Sequence, residues 1–446
     1  MSTSLDTATH PEDRFVSAFQ VHHRRALNGT TAGIANRRAA AIERFAELGL
    51  PTHKQEAWKY TNISKELEHP YTLSITAETP DLSEDAIAPF LIDDLDAHRL
   101  VLVNGRFDAN LSDVGDLPNG VIVTNLEAAG DEHADLVDAH YGQYADAEEE
   151  PFVALNTAFV QDGVFVYIPR GTMLEKPVFV LHVTATDGDL MIQPRNLFVA
   201  EDGAAARVIE AQASLTDTQT FTNAVTEAYV GADGNFDHYL VQNAGDHASQ
   251  VQTLAAYQEH DSVFDTHTTT LSGKVIRNNL TITPDGTHCE SHLFGLNLSR
   301  DQMHVDNHTL VDHVEADCFS NELYKNILTD EAKGVFNGKV FVHRDSQRIN
   351  AYQSNKSLVL TNTARMYAKP ELEIYADDVQ CSHGATTGQI DPEGLFYLRS
   401  RGLSEEKARI LMLQAFAQDV IDEIKDDALR ASLTETLRER FASYMD

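Results

Sequence analysis

Cysteine is scarce in this chain: its 446 residues include three, Cys289, Cys318 and Cys381. They lie far apart, and none belongs to a CxxC pair. Zinc and iron–sulfur sites held by one chain usually take paired ligands at short spacing, so a closed site of that kind is not expected. A disulfide framework is not expected either, because such frameworks belong to oxidising compartments and to short cysteine-rich chains.

Positive charge is also scarce, with 34 Lys and Arg against 69 Asp and Glu and a net charge of −35. Such a charge repels nucleic acid and anionic membranes, so neither is an expected partner. The acids are spread along the whole chain and do not form one tail. We interpret this acidic composition as halophilic adaptation, because concentrated salt screens the self-repulsion that it creates.

Long hydrophobic runs are absent. No apolar stretch approaches the ~18–20 residues that a membrane-spanning helix needs, so none is expected. The first fifteen residues, MSTSLDTATHPEDRF, contain acids and no apolar segment, so they do not resemble a signal peptide. The sequence therefore predicts a cytoplasmic protein, and 42% apolar residues suffice for a sizeable core.

The residue pattern changes twice along the chain and predicts three domains, of residues 1–150, 151–390 and 391–446. The first is helical up to about residue 95 and mixed beyond it. The second consists of short β-prone runs, often ~10 residues apart and separated by turn residues, which is typical of a β-solenoid or a sandwich. The third begins at Asp391-Pro392-Glu393, a helix start, and continues with amphipathic helical patterns.

A thiol and an imidazole, Cys381 and His383, close the second region. They are two residues apart, so an extended segment places them on one face. Both groups suit a soft metal or a sulfur species. Because two ligands are too few for a closed site, a partner subunit would have to complete it. The alternative, a buried cysteine and a strand-end histidine, stays open.

Two other hypotheses concern neighbouring polar residues. Asp377 and Asp378 precede His383 and could form the acid–base set of a β-helical hydrolase. Consecutive acids in a strand point to opposite faces, however, which weighs against convergence. His304 and His308 share one face of an extended segment and could bind a metal without any partner.

Two glycines followed by a lysine, Gly334, Gly338 and Lys339, resemble a phosphate-binding loop at first sight. The glycines are one residue too close, and Val340 stands where a Ser or Thr would hold magnesium. We therefore expect no nucleotide site in this chain.

Several segments together resemble the SufB/SufD family, the scaffold components of the SUF iron–sulfur cluster assembly machinery. Each motif alone is weak, but together they are specific and span most of the chain. Ser354 stands where SufB carries a cluster-building cysteine, so the resemblance is to the SufD branch. The segments are Glu56–Thr61, Leu155–Phe159, Ile168–Gly171, Phe336–Gly338, Ala351–Gln353, His383–Thr386 and Leu395–Gly402.

The resemblance implies a mainly β protein with a right-handed parallel β-helix between N-terminal and C-terminal helical domains. It implies a non-catalytic scaffold subunit that pairs with a SufB-type subunit through the β-helices. It also implies that His383 lies at the heterodimer interface and helps to hold the nascent cluster, with Cys381 the weaker candidate. A SufC-type ATPase would dock on the C-terminal helices, which include Leu395, Phe396, Tyr397, Arg399 and Arg401.

The expected cofactors and partners follow from the same resemblance. The isolated chain should bind no cofactor tightly, and an iron–sulfur cluster would occupy the complex only transiently. A reduced flavin is reported for family members, and the sequence leaves its use here open. The unsatisfied edge of a β-helix predicts homodimers of the isolated chain.

Overall fold

The computed structural model describes residues 11–26 and 32–444. Residues 1–10, on which the expectation about a signal peptide mainly depends, lie outside the described residues. Among the helices that the structure describes, none is both long and apolar enough to cross a membrane.

The N-terminal part combines helices with short strands. In α2 the side chains of Ala41, Ile42 and Phe45 form one buried face, and the helix ends before Gly49, whose φ of 65° suits glycine. Single 3-10 turns form at Glu56–Trp58 and Ala88–Phe90. The elements are α1 (Pro11–Ala26), α2 (Ala32–Leu48), α3 (Ile63–Glu66), β1 (Thr72–Leu73), α4 (Glu84–Ile87), β2 (His98–Val103), β3 (Arg106–Phe107), β4 (Ile122–Asn125), α5 (Leu126–Glu132), α6 (Ala134–His140) and α7 (Pro151–Phe159).

The middle of the chain is a continuous series of strands. They are β5 (Val164–Ile168), β6 (Val178–Thr184), β7 (Leu190–Ile192), β8 (Arg195–Ala200), β9 (Ala205–Ser214), β10 (Thr220–Val230), β11 (Asn235–Asn243), β12 (Ala248–Gln258), β13 (Val263–Thr270), β14 (Val275–Pro284), β15 (Glu290–Ser299), β16 (His304–His313), β17 (Phe319–Leu328), β18 (Lys333–Val342), β19 (Ile349–Val359), β20 (Arg365–Ile374) and β21 (Val379–Gly388).

These strands form two sheets that wind into a β-solenoid of about seven turns. Sheet 1 runs in the order β20-β18-β16-β14-β12-β10-β8-β5-β4, and sheet 2 runs in the order β21-β19-β17-β15-β13-β11-β9-β6-β2-β3. Each turn gives one parallel strand to each sheet. Register partners in successive turns are 26 to 32 residues apart, from Ser249 with Val275 to Lys333 with Arg365.

The core is the lumen between the two sheets. Alternate residues of each strand face inward, as the burial of every second residue in β14 and β16 shows. Phe198, Phe236 and Phe264 stack one above the other in the lumen, with ring centroids 5.9 and 6.1 Å apart. Each turn therefore buries its apolar face on the turn before it.

The two ends of the solenoid differ. At the first end, β2 pairs with β6 and β4 pairs with β5, so the N-terminal part extends and covers both sheets. At the last end, β20 and β21 are the terminal strands of their sheets among the strands that the structure describes. This open end is formed by the segment 365–388.

Helices cover the outer faces of the sheets. The N-terminal helices and α7 pack through Phe15, Phe45, Trp58 and Phe152 against Phe221 of β10 and its neighbours in sheet 1. Trp58 is 5% exposed and is part of this packing. The C-terminal helices are α8 (Pro392–Ser400), α9 (Glu405–Ile421) and α10 (Asp427–Ser443).

Helices α9 and α10 cover the outer face of sheet 2 with an apolar stripe that includes Leu413, Val420 and Leu433. Lys325 of β17 anchors α9, because its Nζ lies 2.5 Å from the carboxylate of Asp419. Helix α8 buries no residue fully. The predicted mainly β fold, with a β-helix core and helices at both ends, is confirmed.

Candidate functional site

Cys381 and His383 lie on β21, the last strand of sheet 2. In the register of the parallel sheet, Cys381 pairs with Ala351 of β19 and His383 pairs with Gln353. Ala351 and Gln353 are buried while Tyr352 between them is exposed, so Cys381 and His383 belong to the row that faces the lumen. The prediction that they share one face is confirmed.

The last turn is exposed to solvent because no strand pairs with it within the described ranges. The residues of inner strands such as β14 and β16 are buried or half-buried, whereas β21 is exposed from Ser382 to Gly388. Tyr352 and Tyr375 are 40% and 53% exposed close to this end. Unpaired main-chain groups and exposed aromatic rings make this end suited to pairing with another β-structure.

Cys381 is half-buried and packs against the cluster that contains Ile349 and Ala351. Burial raises the pKa of the Cys381 thiol, and a backbone hydrogen bond at Ala351 opposes this effect only partly. A bound cation would be needed to hold the thiolate at neutral pH. The other cysteines are free and buried, and both thiols donate to the carbonyl oxygen of Gly286, at 3.1 and 3.2 Å.

The lumen beneath His383 contains a buried acid that the sequence did not point to. Glu322 of β17 is 2% exposed and is the register partner of Gln353. Its Oε2 accepts a hydrogen bond from Gln353 Nε2 at 2.7 Å, and its Oε1 accepts one from Thr309 Oγ1 at 2.5 Å. Burial, only partly offset by these hydrogen bonds, raises the pKa of Glu322 to about 7.

Gly338 has a structural role in this part of the lumen. A Cβ atom on Gly338 would lie 2.3 Å from Gln353 Nε2 and 2.6 Å from Phe336 Cζ. Only glycine therefore leaves room for the amide of Gln353. The segment from Gly334 to Lys339 lies within strand β18, so it cannot form the loop between a strand and a helix that binds phosphate.

The hydrolase residues do not converge. Asp377 and Asp378 lie in the exposed bend before β21, and the backbone of Asp378 pairs with Arg348 and with the side chain of Gln347. Five residues of extended chain separate Asp378 from His383, a distance on the order of 15 Å. This is too far for the acids and the imidazole to act on one bond.

His304 and His308 join a hydrogen-bond network and do not form a metal site. His308 Nε2 lies 3.1 Å from Asp306 Oδ1, and His304 Nε2 lies 2.8 Å from Thr61 Oγ1. Asp306 Oδ2 is held by Arg277 Nη1 at 2.7 Å, so the carboxylate is already neutralised. Residues 11–26 and 32–444 contain no group of three or more His, Cys, Asp or Glu placed to bind a metal ion.

The predicted docking residues lie on and after α8, a helix with no fully buried residue. Phe396 and Tyr397 are 74% and 56% exposed, and Leu395 is half-buried. The guanidinium of Arg401 lies over the ring of Tyr397, and Arg399 Nη1 lies 3.2 Å from Glu405 Oε2. A groove of 430 Å³ is lined by Phe396, Arg399, Ser400, Leu403, Ser404 and Glu405.

These features define a class: a β-solenoid that is closed at one end, open at the other and flanked by helical regions. The family model described as "SUF system FeS cluster assembly, SufBD core domain" matches residues 182–416, and "SufBD protein N-terminal region" matches residues 9–180. The chain belongs to the SufBD family.

Three relatives illustrate this similarity. A SufBD family protein of Synechocystis sp., named for iron–sulfur cluster assembly, is 32% identical over 92% of each chain. The iron–sulfur cluster assembly protein SufD of Escherichia coli is 30% identical over 90% of this chain and 91% of its own. SufD of Bacillus subtilis is 26% identical over 98% of this chain and 99% of its own.

Proposed function

We propose that this chain is the SufD-type, non-catalytic scaffold subunit of a SUF complex that assembles iron–sulfur clusters. Two of the relatives described above carry the name SufD, and both align with nine-tenths or more of this chain. Ser354, where SufB carries a cysteine, is consistent with the same branch. It is the register partner of Gly384, one residue from His383.

The observation that carries the proposal is the open end of the solenoid. It presents Cys381 and His383 side by side on the last strand of sheet 2. Two ligands do not complete a cluster site, and the described residues supply no third ligand close by. A SufB-type subunit that continues both sheets edge to edge would cover this end and provide the missing ligands.

The same edge would bind a second copy of this chain when the SufB-type subunit is absent. Such a homodimer would place two Cys381–His383 pairs opposite each other, related by a two-fold axis. It would lack the cysteine that SufB contributes, so we expect it to hold no stable cluster.

ATP would be handled by a SufC-type ATPase docked on α8. The exposed rings of Phe396 and Tyr397, flanked by the cations of Arg399 and Arg401, stand out on a chain whose net charge is −35. Aromatic and arginine side chains are the residue types most enriched where protein interfaces carry binding energy. The groove beside Phe396 would receive an apolar side chain of the ATPase.

The mechanism that we propose is mechanical. Dimerisation of two SufC-type ATPases would pull on the C-terminal helices of the scaffold. Helix α9 is tied to β17 by Lys325, which reaches both Asp419 and the carbonyl oxygen of Phe416 at 2.6 Å. In sheet 2, only β19 lies between β17 and β21, so motion of α9 would reach the open end and admit iron and sulfide. Electrons would come from elsewhere in the complex, with a reduced flavin as the proposed donor.

The test is reconstitution of the complex from this chain and its SufB-type and SufC-type partners. We expect the tagged chain to retain both partners and His383→Ala to retain them while losing cluster assembly. His260→Ala, at an exposed corner of the solenoid, is the control and should assemble clusters normally. Recovery of no partner would refute the subunit assignment, and full assembly by His383→Ala would remove His383 from the mechanism.

A further inference from the structure

Three side chains in successive turns of sheet 2 form a column that leads from the lumen to the open end. Glu322 of β17 pairs with Gln353 of β19, which pairs with His383 of β21. All three belong to the lumen-facing row. Because neighbouring strands are about 4.8 Å apart, side chains of adjacent members are within hydrogen-bonding reach of each other.

The innermost member, Glu322, is a buried acid without a cationic partner among the described residues. Both carboxylate oxygens of Glu322 are occupied, one by the hydroxyl of Thr309 and one by the amide of Gln353. Within the described part of the chain, no Lys, Arg or His forms an ion pair with it. An apolar residue would fill this position at lower energetic cost, so the acid is evidence of a role beyond packing.

The two polar atoms of the middle member, Gln353, differ in their hydrogen bonding. Gln353 is 4% exposed, and its Nε2 donates to Glu322. Its Oε1 is buried and has no hydrogen-bond partner among the described residues. Because the amide nitrogen of Gln353 is held by Glu322, its carbonyl oxygen is the end available to another donor.

The opposite wall of the lumen is shaped around the same amide. Gly338 of β18 faces Gln353 and leaves a notch that any side chain would fill, because a Cβ there would lie 2.3 Å from Nε2. Glu322, Thr309 and Gly338 therefore hold Gln353 in one orientation from two sheets. The adjacent residue in the column, and the group with an N–H to donate, is His383.

We propose that Gln353 is a positioning residue for the cluster site: its Oε1 accepts a hydrogen bond from the ring of His383 once a partner covers the open end. This inference rests on the proposed function, because it concerns the same histidine. The bond fixes which ring nitrogen carries the proton and leaves the other nitrogen free to bind iron. Outer hydrogen-bond partners of metal-binding histidines commonly act in this way.

The experiment compares variants in the reconstituted three-component complex. Gln353→Met keeps the length of the side chain and removes the acceptor, and Glu322→Gln removes the group that orients the amide. We expect both to keep the partners and to lower the rate of cluster formation about tenfold, the usual effect of losing an outer partner of a metal ligand. The double variant should be no slower than either single variant, because both changes break one chain of contacts.

A second readout separates positioning from general damage. Pulsed EPR of the reduced complex reports the coupling between the iron and the histidine nitrogen, and this coupling should change in Gln353→Met. Gln212→Met is the matched control. Gln212 is also buried, its Oε1 also has no partner within the described part of the chain, and it lies on β9, far from the open end. Its coupling and rate should equal those of the unmodified complex.

The possible results distinguish this inference from the proposed function. If His383→Ala abolishes assembly while Gln353→Met behaves like Gln212→Met, the proposed function stands and the role of Gln353 is refuted. If His383→Ala assembles clusters normally, His383 is removed from the mechanism and this inference falls with it, whereas the proposed function itself fails if the chain retains no partner. Gln353→Asn keeps the amide but shortens its reach, so it should reproduce the defect even if the methionine variant purifies without its partners. Normal rate and coupling in Gln353→Asn would overturn the inference.

Discussion

The notch at Gly338 gives a sharp prediction about stability. In Gly338→Ala the new methyl group would meet Gln353 Nε2 at 2.3 Å and Phe336 Cζ at 2.6 Å, distances at which something must move. Overpacking of a core by one methyl costs about 1–3 kcal/mol. Displacing the amide also weakens its hydrogen bond to Glu322, and a bond to a charged group contributes about 1.5–3 kcal/mol.

The expected loss of stability in Gly338→Ala is therefore about 2–5 kcal/mol. Gly384→Ala is the matched control, because Gly384 also lies in a strand and its Cβ would meet nothing within 4 Å. We expect that control to change the free energy of unfolding by less than about 1 kcal/mol, with a small gain from the restricted unfolded chain.

The measurement combines a urea titration with native-state hydrogen exchange of the isolated chain. Solenoids often unfold in parts, so the exchange rates of β18 and β19 give the local free energy that a global midpoint can hide. Equal stabilities of Gly338→Ala and Gly384→Ala would refute the packing argument. In a cycle with Gln353→Ala, the double variant should lose less stability than the sum of the two single variants.

Four further predictions concern charge, acidity and access. Glu227→Gln, which removes the charge facing the fully buried Arg195, should cost about 3–5 kcal/mol in urea unfolding, whereas Asp96→Asn at an exposed pair should cost less than about 1 kcal/mol. Because the pKa of Glu322 rises from 4.5 in an ordinary glutamate to about 7 on folding, its contribution to stability is fully present below pH 4.5 and is lost as the pH rises through about 7. The advantage of the unmodified chain over Glu322→Gln should thus shrink by about 3 kcal/mol between pH 4.5 and pH 8, and a constant difference would contradict the burial argument. In the native chain, a maleimide should label Cys381 slowly and leave the two buried cysteines unlabelled. Binding of a SufB-type subunit should abolish this labelling, and mass spectrometry counts the labels. Raising KCl from about 0.1 M to about 1 M should increase the unfolding midpoint, because screening shortens from about 10 Å to about 3 Å around a chain of net charge −35.

Local signals in the sequence were enough to predict the fold class and part of the site. The two-residue period of an extended chain places Cys381 and His383 on one face, whatever the strand pairs with. The helix start at Asp391 was equally local, and its carboxylate accepts hydrogen bonds from the backbone N–H groups of Glu393 and Gly394. The density of short strands separated by turn residues indicated a solenoid or a sandwich, and the resemblance to the SufB/SufD family favoured the solenoid.

Contacts between turns could not be predicted, because they depend on the register. The length of a turn varies from 26 to 32 residues because the corners between strands differ in length. The sequence therefore shows no fixed repeat. Gln353 and His383 are therefore neighbours although 30 residues separate them in the chain. Gly338 suggested a phosphate loop, yet glycine is needed there because the side chain of Gln353, on the facing sheet, leaves no room for a Cβ atom. The metal hypothesis for His304 and His308 was likewise wrong because Arg277, from the preceding turn, occupies the carboxylate between them.

The order in which the elements leave the ribosome has a consequence for folding in the cell. The closed end is synthesised first, and each new turn pairs with the turn made just before it. The loops that must close during folding of the solenoid are therefore short. The cover of sheet 2 is different, because α9 and α10 follow the last strand and pack back over turns made much earlier. Until they emerge, the apolar outer face of sheet 2 is in water, and nascent chains are most prone to aggregate in this interval. Ribosomal pausing at any point after those turns and before α9 and α10 would lengthen that exposure.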